Sequence, residues 1–344
     1  MKMELIAVDL FSGCGGLTEG MHQAGFCTKI AIELNKTAST VYKLNHPKTT
    51  VITKDIKQIS SEEIDSYIKG EVVHLLAGCP PCQGFSSIRR LNKAQPVEDD
   101  RNSLIMEYIR FVRILRPYTI MLENVPGLIH YDLFKKAVNI LKKELGYKIE
   151  YKIVNVKDYD VPQNRKRLVL VGSRLGEISI SNQILPKVTV RNKLFHLKQP
   201  ELSDDYLHKV YQKNSKKILE KIALIPQDGG SRHDLPESYQ LNCHKKNNVG
   251  FNDVYGRLKW DELSSTITGG CLNPSKGRFL HPEENRGISA REASLLQSFP
   301  ENYVFPANIG KTQLALMIGN ALPPKFSYYQ SLNIKEHLKG YFSK

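Results

Sequence analysis

Short apolar runs alternate with amphipathic segments through the first half of the chain. Residues 5–8 and 72–77 form continuous apolar runs, which are typical of strands buried on both faces of a parallel sheet. Residues 103–115 carry apolar side chains at helical spacing and end before Pro117. Strands separated by helices predict βαβ units, so we expect an α/β fold with a mostly parallel sheet and helices on both faces.

The remaining elements follow from the same rules. Asn35 is a suitable N-cap for a helix that stops before Pro47, and Ser60 with Glu63 resembles a capping box. Further strands are predicted at residues 29–33, 50–53, 118–122, 147–156 and 167–172, and further helices at residues 131–145 and 310–321.

Glycine-rich and polar residues follow several of the predicted strands. They are Phe11–Gly16, Glu33, Asp55, Gly78–Cys82 and Glu123. Ligands of parallel sheets bind at the carboxyl ends of the strands, so these residues predict one shared cleft. Glu33 is suited to accept hydrogen bonds from ribose hydroxyls, and Asp55 could meet an adenine amino group. Taken singly, each residue is equally consistent with an ordinary loop.

The turn at residues 78–86, with sequence GCPPCQGFS, contains a candidate nucleophile, Cys82. A cysteine in a rigid Pro-Pro turn after a buried strand is presented to the cleft, and a following helical turn would favour its thiolate. A small buried thiol is an equally good interpretation, because free cysteines are usually buried.

Two further charged elements adjoin predicted strands. Glu123 could act as an acid if it is desolvated, or it could cap a helix or form an ion pair. Arg165 and Arg167 alternate along an extended segment and could bind a phosphate, a base carbonyl or a carboxylate. A solvated basic strand end is the simpler interpretation of these arginines.

The pattern changes near Pro186. Residues 186–250 are polar and weakly periodic, with 12 Lys and Arg against 7 Asp and Glu. We therefore predict a catalytic and cofactor-binding domain at residues 1–185, a small domain at 186–305, and a C-terminal segment at 306–344 that returns to the first domain.

The chain of 344 residues has a net charge of +14 and a pI of about 9.3. This balance favours a polyanionic partner such as nucleic acid, although lysine-rich solvated surfaces would also produce a basic net charge.

Cys79 and Cys82 form a C-x-x-C without a second metal-binding pair, so we expect thiols and no metal. No apolar run reaches membrane-spanning length and no signal peptide is evident, so a cytoplasmic protein is expected.

Taken together, the motifs resemble the DNA (cytosine-5) methyltransferase family, in its bacterial and phage restriction-modification form. The resemblance runs from about residue 5 to 326 and rests on blocks in the family's order. The blocks are Asp9–Gly16, Gly78–Ser86, Glu123–Val125, Gln163 with Arg165 and Arg167, Arg257 with Leu258 and Trp260, Ser265–Thr268, Arg291–Pro300 and Gly319–Pro324. It implies the Rossmann-like fold of S-adenosylmethionine-dependent methyltransferases.

The resemblance also implies roles for individual residues. Cys82 would add to C6 of cytosine, Glu123 would hold or protonate N3, and Arg165 and Arg167 would position the catalytic loop and the base O2. S-adenosylmethionine would lie against Phe11, Gly13, Gly16, Glu33, Leu34, Asp55, Ile56, Gly78, Pro80, Leu104, Asn320 and Leu322. DNA would be contacted by Gln83, Ser86, Ser87, Arg89, Arg90 and Arg232.

The partners follow from the same resemblance. We expect a monomer that acts on a specific double-stranded DNA sequence, associates with the nucleoid through DNA, and has a restriction endonuclease as a separate cognate enzyme. Residues 186–256 would recognise the target, and Gln227, His233, Gln240 and Asn242 are further candidates for contacts to the bases. Residues 87–102 would close over a flipped base.

Three alternatives remain at this stage. An RNA cytosine-5 methyltransferase would share the architecture, but the Cys-Phe-Thr element of the tRNA-directed branch is not found. A silent DNA-binding paralogue should have lost Cys82, Glu123 or the donor turn. A redox C-x-x-C protein would not need Glu123 or the two arginines.

Overall fold

The computed structural model describes residues 4–81, 104–183, 185–240 and 253–343. The chain divides into two compact units. Unit 1 comprises residues 1–159, 166–184 and 322–344, and unit 2 comprises residues 160–165 and 185–321. Unit 2 includes residues 306–321, which we expected in the C-terminal segment, because the helix there packs within that unit.

Unit 1 is built on a mixed sheet of seven strands, counted over the described residues, in the order β3-β2-β1-β4-β5-β7-β6. The strands are β1 (Leu5–Leu10), β2 (Phe26–Ile32), β3 (Thr50–Ile52), β4 (Leu75–Gly78), β5 (Thr119–Asn124), β6 (Lys148–Asn155) and β7 (Lys166–Ser173). Strands β1 to β5 are parallel, and β7 runs antiparallel to both β5 and β6. The predicted α/β fold with a mostly parallel sheet is confirmed.

Helices pack against this sheet, and four short helices lie in the described part of unit 2. Unit 1 contains α1 (Gly16–Ala24), α2 (Lys36–Asn45), α3 (Ser61–Ile68), α4 (Leu104–Leu115), α5 (Asp132–Asn139) and α10 (Pro324–Phe342). Unit 2 contains α6 (Val190–Leu194), α7 (Lys216–Ala223), α8 (Ala290–Leu296) and α9 (Lys311–Asn320). No helix in the described ranges has the length and apolar character needed to cross a membrane.

The predicted boundaries are close to those observed. Asn35 caps α2 by accepting a hydrogen bond from the Ala38 amide, as its position indicated. The Ser60 hydroxyl caps α3 through the Glu63 amide, but the Glu63 carboxylate bonds Lys54 and does not complete a capping box.

Three elements differ from the prediction in their bounds. β2 begins three residues earlier than predicted, at Phe26. β4 begins three residues later than the apolar run predicted, at Leu75, because only residues from there pair with β1. The sequence pattern predicts a single helix at 131–145. The α-helix ends at Asn139, and residues Ile140–Glu144 form a π-helical turn after it.

Helices α1 and α10 pack unusually closely at Gly20. A Cβ atom at this glycine would lie 2.4 Å from the Pro324 carbonyl oxygen and 2.5 Å from the Tyr328 amide nitrogen. The Ser327 hydroxyl donates to the Leu17 carbonyl oxygen across the same contact, at 2.6 Å. The final helix therefore depends on a position in α1 that has no side chain.

We expect Gly20→Ala to lower the free energy of unfolding by about 1–3 kcal/mol, because the methyl group would force two backbones apart. Gly340→Ala is the matched control, since a Cβ there meets nothing within 4 Å and the same helix-propensity gain applies. Urea unfolding followed by circular dichroism measures both. A Gly20→Ala protein as stable as Gly340→Ala would contradict the close contact.

Unit 2 relies on buried polar groups more than on regular strands; its described residues form only isolated β-bridges. Arg257, 1% exposed, donates hydrogen bonds to the carbonyl oxygens of Ile222, Ile225, His281 and Glu284 and to the Asn285 side chain. These bonds fasten the end of α7 to residues 281–285.

A second buried group in this unit is the ion pair between Arg286 and Glu292. Both guanidinium Nη atoms bond the Glu292 carboxylate, at 2.7 and 2.8 Å, and the same carboxylate accepts the Ser289 amide at 2.6 Å. Burial alone would raise the pKa of Glu292, but the Arg286 contacts outweigh it and lower the pKa to about 2. The carboxylate is therefore charged at any physiological pH.

This ion pair should make the unit acid-sensitive. A lowered folded-state pKa contributes stability that is complete above about 4.5 and is lost as the pH falls toward 2, on the order of 3 kcal/mol for this shift. We expect Glu292→Gln to unfold at lower urea concentration than wild type at pH 7, and the difference to shrink below pH 4.5. Glu301→Gln, at an exposed carboxylate, is the control, and an unfolding difference independent of pH would refute the assignment.

Candidate active site

The carboxyl ends of the parallel strands lie side by side in unit 1. Leu10 pairs with both Ile32 and Gly78, and Gly78 pairs with Leu122. The residues that follow these strands therefore emerge at one edge of the sheet, which is what the sequence pattern predicted. This edge carries the glycine-rich turn, Glu33, Cys79 and Glu123.

The glycine-rich turn after β1 is held by the Glu33 carboxylate. One Glu33 oxygen accepts the Gly13 amide at 2.8 Å, and the other accepts the Asn35 amide at 2.7 Å. Phe11 and Gly13 have positive φ angles of 59° and 55°, so the backbone turns sharply before α1 begins. The turn is thus preorganised, and the free lone pairs of Glu33 remain for a ligand.

Two buried polar residues support this turn. The Asp9 carboxylate accepts the Thr18 hydroxyl at 2.7 Å, and its other oxygen has no hydrogen-bond partner in the described part of the chain. Burial, reinforced by the charge of Glu33, raises the pKa of Asp9 to about 8. The buried Ser12 hydroxyl also lacks a partner among these residues, so it is available to a ligand at the turn.

Several of the predicted donor-binding residues border the same edge. Gly16 begins α1 and Pro80 is buried after β4, while Asp55 caps a short turn through the Lys57 amide at 3.0 Å. Leu34 is 67% exposed, whereas Ile56 and Leu322 are buried and Leu104 is half-buried. An exposed leucine beside Glu33 offers an apolar surface to a planar ring.

The turn that leads to Cys82 is fastened to β5. The Asn124 side chain donates to the Pro80 carbonyl oxygen at 2.9 Å and accepts the Val125 amide at 2.8 Å. Both Asn124 and Pro80 are buried, so this bond is protected from water. It fixes the backbone two residues before position 82.

Cys79 follows β4 and lies close to Glu123. Burial first, and then the charges of Glu123 and Asp9, raise the pKa of the Cys79 thiol well above its usual range. The thiol is therefore neutral at physiological pH. In the described residues, no three His, Cys, Asp or Glu side chains are grouped to hold a metal ion.

Glu123 and Arg167 form an ion pair across the antiparallel strands β5 and β7. The Arg167 Nε atom lies 2.7 Å from a Glu123 carboxylate oxygen, and Glu123 is 9% exposed. Arg167 also donates to the Lys166 carbonyl oxygen at 2.8 Å. A carboxylate and a guanidinium are thereby held at the sheet edge, next to the turn that carries Cys79 and Pro80.

Arg165 has different partners from Arg167, although the two are only two residues apart. Its guanidinium donates to the carbonyl oxygens of Ile267 at 2.9 Å and Gly319 at 3.0 Å, all within unit 2. Asn320, which follows Gly319 at the end of α9, is exposed.

Arg232, a predicted DNA contact, is buried beside the exposed His233. A DNA contact by Arg232 would therefore require its side chain to move.

Several predicted residues lie outside the described part of the chain. They are Cys82, Gln83, Ser86, Ser87, Arg89, Arg90 and Asn242, together with the expected closing segment at 87–102.

Comparison with known proteins identifies the family. A family model described as C-5 cytosine-specific DNA methylase matches residues 5–336. The chain belongs to this family. It is therefore a DNA (cytosine-5) methyltransferase.

The methylase has relatives that match it along most of their length. It is 31% identical to the Type II methylase M.HgiDII of Herpetosiphon aurantiacus over 346 residues, which cover 97% of this chain and 96% of the relative. It is also 31% identical to the Type II methyltransferase M1.HphI of Haemophilus parahaemolyticus, with 94% and 84% covered.

Solved structures share the fold of the methylase. A protein described as a DNA modification methyltransferase encoded within an E. coli prophage superposes with a TM-score of 0.76 at 24% identity, covering 98% of this chain and all of that one. The S. pombe Dnmt2 methyltransferase superposes with a TM-score of 0.67 at 18% identity, again over 98% of this chain and all of that one.

Sequence reasoning assigned no role to Asp9, Ser12 or Asn124, although all three lie in motifs of the methylase that it quoted. These three residues are polar and lie at or next to the end of an apolar strand. A buried polar side chain at such a position needs a hydrogen-bond partner, and this could have marked them as functional candidates. The hydrogen bond from Asn124 to Pro80 joins segments more than forty residues apart in the chain, so spacing alone could not reveal it.

We expect Asn124→Ala to lower the kcat of the methylase about tenfold or more, because the turn before Cys82 would lose its anchor. Donor binding should change little. Ser60→Ala is the control, since it also removes one bond from a side chain to the backbone in unit 1, at the start of α3. Initial rates measured well below the melting temperatures compare them, and equal rates for the two variants would contradict the role of Asn124.

Proposed function

We propose that the protein transfers a methyl group from S-adenosylmethionine to C5 of a cytosine within a specific double-stranded DNA sequence. In this proposal the reaction proceeds through a covalent bond between Cys82 and C6. The arrangement of Glu123, Arg167 and Asn124 carries the proposal. It places a carboxyl group at the sheet edge and anchors the backbone at Pro80, two residues before Cys82 in the sequence.

The residues at the sheet edge fit the methyl donor. Glu33 has lone pairs for ribose hydroxyls, and the unpartnered Ser12 hydroxyl and the turn at Gly13 suit the polar methionine end. Leu34 and Ile56 supply apolar contacts for the adenine. The family resemblance assigns a further donor contact to Asn320, an exposed residue of unit 2. When bound, S-adenosylmethionine supplies an electrophilic methyl group.

The proposed chemistry answers the poor reactivity of cytosine C5. The Cys82 thiolate donates an electron pair to C6, which breaks the C5–C6 double bond and makes C5 nucleophilic toward the donor methyl. A proton shared between Glu123 and N3 stabilises the negative charge that addition creates. After methylation, removal of the C5 proton returns its bonding pair to the ring and expels the Cys82 thiolate.

Arg167 is suited to two tasks in this scheme. Its ion pair with Glu123 orients the carboxyl group, and its remaining N–H donors could bind the base O2. Burial and the nearby Glu123 carboxylate raise the pKa of the Cys79 thiol, which supports assigning the nucleophile to Cys82. A stacked base cannot present C6 to a thiolate, so the target cytosine must be flipped out of the helix.

The names of the relatives support a setting in restriction-modification. Two relatives that match over most of their length are named Type II enzymes, so we propose a cognate endonuclease that acts separately on the same sequence. The expected monomer remains part of this proposal.

The covalent step can be tested after the target is read by bisulfite sequencing of DNA from cells expressing the protein. We expect Cys82→Ala to abolish methyl transfer and to keep donor affinity within about twofold, because the thiol attacks the base and not the donor. Cys27→Ala, at a half-buried thiol in β2, is the control and should keep its activity. Transfer at the wild-type rate by Cys82→Ala would refute the covalent mechanism.

A trapping experiment tests the same step without loss of the nucleophile. Target DNA with 5-fluorocytosine should form a denaturant-resistant adduct with wild type only when the donor is present, since fluorine cannot leave as a cation. Methylation of tRNA instead of duplex DNA would identify the substrate as RNA.

A further inference from the structure

The C-terminal end of α9 has an unusual cap. A helix leaves its last four carbonyl groups without partners inside the helix, and many helices satisfy some of them with a following glycine turn. Here Ala321 follows in an extended conformation, and its amide satisfies only the Met317 carbonyl oxygen. The carbonyl oxygens of Ile318 and Gly319 need other donors.

Two buried side chains supply these donors. The Gln297 Nε2 atom donates to the carbonyl oxygens of Ile318 at 2.6 Å and Ala321 at 3.2 Å, and Arg165 donates to that of Gly319 at 3.0 Å. Gln297 is fully buried, and Arg165 is 4% exposed. The two side chains therefore hold the backbone on both sides of Asn320.

Gln163 orients Gln297 in turn. Its Nε2 atom donates to the Gln297 Oε1 atom at 2.7 Å, which leaves the Gln297 amide group directed at α9. Its own Oε1 accepts the Ile267 amide at 2.9 Å. Gln163 is also fully buried, so both glutamines are fixed by hydrogen bonds inside unit 2.

The packing around Gly319 leaves this end of α9 little freedom. A Cβ atom there would lie 2.1 Å from the Thr268 carbonyl carbon and 2.4 Å from the Gly269 amide nitrogen. The backbone at 267–269 thus contacts the helix end directly and is itself tied to Arg165 and Gln163. A change in Gln297 would alter the position of α9 relative to this segment.

We infer that Gln297 is a positioning residue for the methyl donor and sets donor affinity by fixing the backbone that presents the Asn320 amide. The inference rests on the proposed function, in which Asn320 contacts S-adenosylmethionine. Gln297 itself is fully buried, and its amide hydrogen atoms are directed to carbonyl groups of unit 2. Its effect is therefore indirect, and we assign it to Asn320.

The test measures binding of S-adenosylhomocysteine by calorimetry, which needs no turnover. We expect Gln297→Met, which keeps the side-chain volume and removes the hydrogen bonds, to raise the Kd about tenfold. The KM for DNA should stay within about twofold. His208→Leu is the matched control, because it removes two hydrogen bonds of a buried side chain in unit 2, to Ser289 and Lys198. It should lower the melting temperature without changing the Kd.

A double-mutant cycle separates positioning from general loss of stability. If Gln297 acts through Asn320, Gln297→Met should cause little further loss of affinity in an Asn320→Ala background. Additive losses, or an unchanged Kd in Gln297→Met, would overturn the inference. If Gln297→Met does not fold, Gln163→Met removes the bond that orients Gln297 and should raise the Kd in the same direction, and an unchanged Kd would overturn the inference equally.

Failure of the proposed function would look different from failure of this inference. If wild type does not bind S-adenosylhomocysteine, the donor assignment itself is wrong. If wild type binds and Gln297→Met binds equally well, only the role of Gln297 is wrong.

Discussion

The parallel pairing of β1 with β2 and β4, and of β4 with β5, is the constraint on which the catalytic unit depends. In this register Leu10, Ile32, Gly78 and Leu122 lie in one row. Because neighbouring parallel strands end together, the residues after each strand meet at one edge of the sheet. A shift of one residue in any strand would turn its buried side chains to the opposite face and separate the candidate donor turn from the candidate catalytic turn.

Burial of charged and polar groups at this edge changes pKa values and strengthens hydrogen bonds. Asp9 and Glu123 are buried, so each group depends on its few neighbours. Glu123 has an arginine partner, whereas burial raises the pKa of the Cys79 thiol. The same low polarity would strengthen any hydrogen bond that Glu123 makes to a base.

Unit 2 holds its backbone by another means. Its described residues form no extended sheet, and many of its carbonyl groups are satisfied by buried Arg and Gln side chains instead of strand partners. Arg257 fastens the end of α7, and Gln297 with Arg165 fastens the end of α9. Such networks are sensitive to substitution, because the loss of one donor leaves a buried carbonyl group without a partner.

The sequence by itself determined the fold class, most strand and helix positions and the family, because these depend on local periodicity and on motifs in a fixed order. It also predicted that Glu33 and Glu123 would lie at one edge, since strand ends align in a parallel sheet. Only the tertiary structure decided that Asn124 anchors Pro80, that Arg165 and Arg167 have separate partners, and that Gln297 caps α9. Each of these facts is a contact between residues distant in the chain or a choice among several possible partners, and packing makes that choice.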